Sequence, residues 1–88
     1  MLPRILRLPD VKSVTGLSRS TIYLYIQNGY LTKPVRLGER SVGWPESEVS
    51  ALLSARIAGK SDEEIRVLVG ELEAIRKDIV PFAHQATE

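Results

Sequence analysis

Eighty-eight residues make one small domain, and 43% hydrophobic with 26% charged content is the balance of a globular chain. The absence of cysteine excludes disulfides and thiolate metal sites, and no apolar run approaches the ~18 residues that span a bilayer. The net charge of +1 hides an asymmetry: residues 1–44 carry seven basic and two acidic groups, residues 45–88 five basic and nine acidic.

The chain begins Met-Leu-Pro-Arg-Ile-Leu-Arg-Leu, without the apolar core of a secretory signal, so a cytoplasmic location is expected. Residues 1–7 read as an extended lead with Ile5 packing on the domain. A first helix starts at Pro9, a favoured first helical residue, with Asp10 complementing the positive end of the dipole. Val11 and Val14 give it a buried side. Gly16 can take positive φ and so end that helix sharply. Leu17 plugs the gap to the next helix, and Ser18 is a good N-cap. Ile22 and Ile26 recur four apart with Tyr25 beside them, a helical apolar face, and Asn28-Gly29 stops the second helix.

A short helix, a glycine turn and a second helix form a helix-turn-helix. The second helix has an outward face of Ser20, Tyr23, Leu24 and Gln27, flanked by Arg19 at its first position. Thr21 is placed either to support the cap or to touch phosphate. Free N–H groups at this end, with Arg19 beside them, favour phosphate, while the side chains can reach base edges.

Val35 and Leu37, then Val42 and Trp44, alternate around the polar stretch Gly38-Glu39-Arg40-Ser41, the pattern of a β-hairpin. Following a helix-turn-helix, such a hairpin is a wing, and Lys33, Arg36 and Arg40 make it basic. Pro45 opens a third helix over 46–58, with Glu46 and Glu48 in its first turn and a stripe of Val49, Leu52, Leu53 and Ile57. Gly59-Lys60 ends it. Ser61-Asp62-Glu63-Glu64 has the capping-box pattern and starts a fourth helix that runs to about Val80 and is stopped by Pro81. Leu17, Ile22, Tyr25, Ile26 and Trp44 are the expected core.

Ile65, Leu68, Leu72, Ile75 and Ile79 are spaced 3-4-3-4, a heptad seam with Glu71 and Arg76 placed to pair across a parallel dimer. At little more than two heptads the seam leaves two uses open: packing on its own domain, or joining two copies as a homodimer.

The text from Arg7 to Leu53 resembles the AlpA family of phage-type regulators, winged-helix relatives of the MerR and excisionase DNA-binding domains. The matching pieces are Arg7-Leu8-Pro9-Asp10-Val11, Thr15-Gly-Leu-Ser-Arg-Ser-Thr-Ile-Tyr23, Lys33-Pro-Val-Arg-Leu-Gly38, Arg40-Ser-Val-Gly-Trp44 and Glu46-Ser-Glu-Val49. The resemblance implies DNA binding by the second helix and the wing, and control of a mobile element's genes, often those for excision or integration. The chain departs from the family at Leu24, where a polar or basic residue is usual, and at Thr32, where Pro is common.

The expected fold is therefore mostly α with one small β-hairpin, a winged helix-turn-helix plus a C-terminal helix. Residues 1–59 would form the DNA-binding domain, 60–80 the amphipathic helix and 81–88 a mobile tail. The partner expected is double-stranded DNA, met by Arg19, Ser20, Thr21, Tyr23, Leu24, Gln27, Lys33, Arg36 and Arg40. His84 is the single histidine, and no Gly-rich phosphate loop, metal spacing or activated nucleophile occurs. No cofactor, membrane or enzymatic role is expected. Two alternatives stand beside transcriptional regulation: a recombination directionality factor that bends DNA, and a protein-interaction module such as an antirepressor.

Overall fold

The computed structural model describes residues 2–78. In chain order it comprises β1 (Ile5–Leu6), α1 (Leu8–Thr15), α2 (Arg19–Asn28), β2 (Val35–Arg36), β3 (Val42–Pro45), α3 (Glu46–Ile57), α4 (Asp62–Ile75) and a closing 3-10 turn (Arg76–Asp78). This is the expected class, four helices around a small antiparallel sheet with a winged helix-turn-helix order.

The caps form as the local sequence dictates. Asp10 accepts from the Arg7 backbone N–H at 3.0 Å at the start of α1, and Gly16 takes φ 73° at its end. Ser18 Oγ accepts from the Thr21 N–H at 3.2 Å to cap α2. At α4 the capping box is complete: Ser61 Oγ accepts from Glu64 N–H (3.2 Å), and the Glu64 carboxylate accepts from Ser61 N–H (2.9 Å).

The lead is more than an extended arm. Ile5–Leu6 pairs with β3, giving the sheet order β1-β3-β2. The registers are Leu6 opposite Trp44 and Val35 opposite Gly43. Because side chains alternate across a strand, Leu6 faces the core, 8% exposed, and Ile5, not the inward residue expected, is 38% exposed. Gly43 is the crossing point. A Cβ there would collide with the Ile5 side chain and lie 2.9 Å from the Leu6 carbonyl oxygen, so only glycine lets β1 lie against β3.

One core holds everything: Leu6, Val11, Ile22, Leu31, Trp44, Val49, Leu52, Ile65 and Val69 are buried, with Leu17, Tyr25, Ile26, Leu68 and Leu72 packed partly against them. Trp44 is fully buried, and its indole N–H donates to the Thr32 carbonyl at 2.9 Å. Of the expected stripe on α3, Ile57 is corrected: it is 86% exposed, because the helix has run past the core by its last turn. Glu48, read as a dipole partner, is instead 2% exposed.

α4 folds back along α3. Arg56 near the end of α3 meets Asp62 at the start of α4 (2.9 Å), while Glu48 in the first turn of α3 meets Arg76 just past the end of α4 (2.7 Å). The two helices are an antiparallel pair. The seam is thereby used in cis. Ile65 has no exposed surface left for a second copy, Val69 is buried in place of a seam residue, and Ile75 is 48% exposed. The reason is geometric. A straight helix drifts ~20° per heptad away from a 3.5-residue repeat, so the buried stripe advances through 65, 69, 72 and 76. Arg76, assigned by the heptad to Glu71 of a partner, pairs with Glu48 of its own chain. Ile79, Val80, Pro81 and His84 lie outside the described residues.

Ile65→Ala should cost about 2–5 kcal/mol, the range for emptying a packed site. Denaturant melts check the cost, and sedimentation should show no change in mass; a change in mass would return the seam to a dimer. The Glu64 carboxyl is held below its ordinary 4.5, first by the Ser61 backbone N–H and then by the Ser61 hydroxyl. A lowered folded value means that its contribution is complete above the unfolded pKa and fades as pH falls through the folded one. The gap in melting temperature between wild type and Glu64→Gln should therefore narrow from about pH 6 to about pH 3. An unchanged gap would show that the box does not form.

Candidate nucleic-acid interface

The inner face of α2 is consumed by the core, with Ile22 fully buried and Tyr25 and Ile26 half-buried. That fixes which face is free. Ser20, Tyr23, Leu24 and Gln27, at i, i+3, i+4 and i+7, form one exposed ridge. Tyr23 is 39% and Leu24 51% exposed. Arg19 sits at the first helical position, its guanidinium 5.8 Å from the centre of the Tyr23 ring. It covers that ring and stays at the positive end of the helix. Thr21 is half-buried, and its Oγ1 accepts from the Ser18 hydroxyl at 2.9 Å. The hydroxyl thereby supports the cap and keeps its own hydrogen to donate.

The wing is short. Arg36 pairs with Val42, and the Leu37 N–H donates to the Ser41 carbonyl at 2.7 Å to close the turn around Gly38, Glu39 and Arg40. Arg36 and Arg40 are exposed, and Leu37 is 47% exposed at the tip. Lys33, at the wing's root, is also exposed, and both its backbone polar groups are held. Its N–H donates to Glu73 Oε2 at 2.8 Å, and its carbonyl accepts from Arg76 Nη2 at 2.6 Å.

Five arginines of the chain are bonded internally. Arg4, Arg56, Arg66 and Arg76 are each within 3.3 Å of a carboxylate of their own chain, and Arg7 Nε donates to the Val42 carbonyl at 2.8 Å. Among the described residues, Arg19, Lys33, Arg36 and Arg40 have no such ion pair, and neither do Lys12 of α1, Lys60 between α3 and α4, and Lys77. Among the described residues, too, no three His, Cys, Asp or Glu side chains converge to hold a metal ion, and no helix is long and apolar enough to cross a membrane.

The profile of the family described as Prophage CP4-57 regulatory protein (AlpA) matches residues 4–57. The chain belongs to the AlpA family. It is 49% identical over 57 residues to an uncharacterized protein of Enterobacteria phage P4, with 65% of each chain covered. It is 42% identical over 59 residues to the DNA-binding transcriptional activator AlpA of Escherichia coli, covering 60% of this chain and 84% of that relative. The chain thus spans just under two thirds of the phage relative's length. No solved structure matches it. The matched AlpA region takes in α2, the wing and α3 and stops before α4.

Sequence reasoning missed Glu48, Arg66, Glu73 and Arg76. Two of them carried a readable sign. Glu48 stands one turn before Leu52, and Arg76 one turn after Leu72, so each extends a buried stripe with a charge of opposite sign. A charge on a core stripe demands a partner.

Proposed function

We propose that this AlpA-family protein is a sequence-specific DNA-binding transcriptional regulator of a prophage-like element, acting in the cytoplasm. Residues 1–59 are the DNA-binding unit and residues 60–80 its support. The observation that carries the reading is the set of cations on α2 and the wing: Arg19, Lys33, Arg36 and Arg40 all lack internal carboxylate partners, whereas Arg4, Arg56, Arg66 and Arg76 are each paired in cis. Unpaired guanidinium and ammonium groups on projecting elements suit phosphate, which supplies most of the affinity for DNA.

On this reading α2 enters the major groove. Ser20, Tyr23, Leu24 and Gln27 face base edges, and Arg19 meets phosphate at the helix N-terminus with the N–H groups that Thr21 and Ser18 leave free. Exposed Leu24 suits a thymine methyl. Lys33, Arg36 and Arg40 grip the neighbouring backbone. A second reading, a protein-interaction module, is favoured by the exposure of Tyr23, Leu24 and Leu37 together. It predicts no salt-sensitive affinity for duplex DNA.

Selection on randomised duplexes should return a defined site. If about four to six phosphates are neutralised, log K against log[salt] has a slope of roughly −4 to −5. A flat dependence overturns the reading in favour of the interaction module, and strong bending over phased tandem sites would move the role to excision.

Reading and gripping should also separate by substitution. Gln27→Ala or Ser20→Ala relaxes base preference at particular positions, with a loss of about 1–3 kcal/mol on the selected site alone for a bidentate contact. Arg40→Ala weakens all sequences alike and lowers the salt slope by about one. Equal loss on selected and random DNA for Gln27→Ala would show that α2 does not read bases.

A further inference from the structure

α4 lies beyond the region that the family profile matches, yet it touches both elements assigned to DNA. At one end Arg66 Nε donates to the carbonyl of Asn28, the last residue of α2, at 3.1 Å, and its Nη2 donates to the Tyr30 hydroxyl at 3.0 Å. At the other end Glu73 and Arg76 take the N–H and the carbonyl of Lys33, at 2.8 and 2.6 Å. Arg76 is itself anchored. Its Nε and Nη2 fork onto Glu48 of α3 at 2.8 and 2.7 Å, and this pairing holds its guanidinium pKa above the ordinary value against the opposing effect of burial.

Four residues separate Asn28 from Lys33, and two of them, Leu31 and Thr32, are buried. Arg66 and Arg76 stand ten positions apart on a helical path, a span of about 15 Å at 1.5 Å per residue. The exit of α2 and the root of the wing are therefore fastened to two marks on one stiff rod. With the Lys33 N–H held in the peptide before it and the Lys33 C=O in the peptide after it, neither peptide can turn without breaking a charge-assisted bond.

We propose that Arg66, Glu73 and Arg76 are positioning residues for DNA binding: α4 sets the placement of the wing relative to α2, so that reading helix and gripping wing meet one site in register. The proposal rests on the assignment of α2 and the wing to DNA. Without the clamp the wing would have to be ordered at the moment of binding, and that cost falls on affinity. The bases read by α2 do not change, because its outer face is set by Ile22 and the core. A role in stability alone would lower the melting temperature and leave DNA affinity in the folded protein intact.

The test uses the full chain with three variants. Glu73→Ala removes the acceptor of the Lys33 N–H. Glu73→Gln keeps an amide oxygen there. The double variant Glu48→Leu with Arg76→Met removes the clamp on the Lys33 carbonyl and replaces the ion pair by apolar groups, an exchange that proteins often tolerate where loss of one partner is severe. In free Glu73→Ala, the Lys33 amide should exchange its hydrogen at least about tenfold faster, with global melting little altered. On the selected DNA site, Glu73→Ala and the double variant should each lose about tenfold in affinity, equal to about 1.4 kcal/mol. Each should also show a shallower salt slope by about one, with α2 base preference unchanged. Glu73→Gln should stay near wild type.

Wild-type affinity and slope in Glu73→Ala, with the variant folded, overturn the proposal, whether or not the double variant folds. If the wild type itself binds no DNA in a salt-dependent way, the DNA assignment fails instead. The clamp is then judged by Lys33 exchange alone, and unchanged exchange in Glu73→Ala overturns it too.

Discussion

The fold depends on burying Trp44 in a sheet too small to stand by itself. β3 is four residues long and is paired on both edges by strands of two. Sheets of this size need a packed face or a helix against them to persist. The indole supplies that face, and its N–H is satisfied by the Thr32 carbonyl. The consequences spread outward in both directions along the chain. Leu6 must lie opposite Trp44, which requires glycine at 43. Pro45 must turn at once into α3. Thr32 must stand beneath the indole, which sets where Lys33 emerges. The Thr32 hydroxyl, although buried, has no hydrogen-bond partner. At this position the backbone carbonyl, not the side chain, makes the bond.

The second constraint is electrostatic. Taking the Glu48 carboxylate out of water is unfavourable by several kcal/mol unless a cation follows it, and Arg76 follows it across 28 positions of sequence. This pair differs in kind from the exposed bridges Arg4–Glu46 and Arg66–Glu63, each worth at most about 1 kcal/mol. Removing either member of an exposed bridge returns the other to water. Removing Arg76 strands a buried charge. The closing turn of the helical hairpin is thus tied to the first turn of α3 more tightly than its length would require. The same guanidinium holds the Lys33 carbonyl.

What could be read from the sequence follows the range of each interaction. Caps, stops and helix faces are settled within four residues, so Gly16, Ser18, Pro45 and the Ser61–Glu64 box were legible, as was the free ridge Ser20, Tyr23, Leu24 and Gln27. The wing was legible from its alternation and its turn. The pairing of β1 was not, because a two-residue strand has no period to display, and its partner lies forty positions away. The drift of α4 was misread because over two heptads periods of 3.5 and 3.6 differ by less than one residue. The two part by one position at Val69 and again at the third turn, where Arg76 rather than Ile75 faces inward. The grip of Glu73 and Arg76 on Lys33 was out of reach altogether, since any residue has the backbone groups they bind.

The charge asymmetry takes on a second meaning in the folded chain. Read along the sequence, a basic first half beside an acidic second half is a footprint for a polyanion. In the fold the acidic half acts first on the chain itself. Glu46 takes Arg4, Glu48 takes Arg76, Asp62 takes Arg56, and Glu73 takes the Lys33 N–H. Arg19, Arg36 and Arg40 on α2 and the wing, with Lys33 at the wing's root, are left without a carboxylate partner among the described residues, as are Lys12, Lys60 and Lys77 elsewhere. A protein with every cation free would hold any polyanion by its summed field, because that attraction carries no sequence information. Pairing four arginines in cis weakens that attraction away from α2 and the wing, so that on the proposed reading a larger share of it falls where sequence would be read.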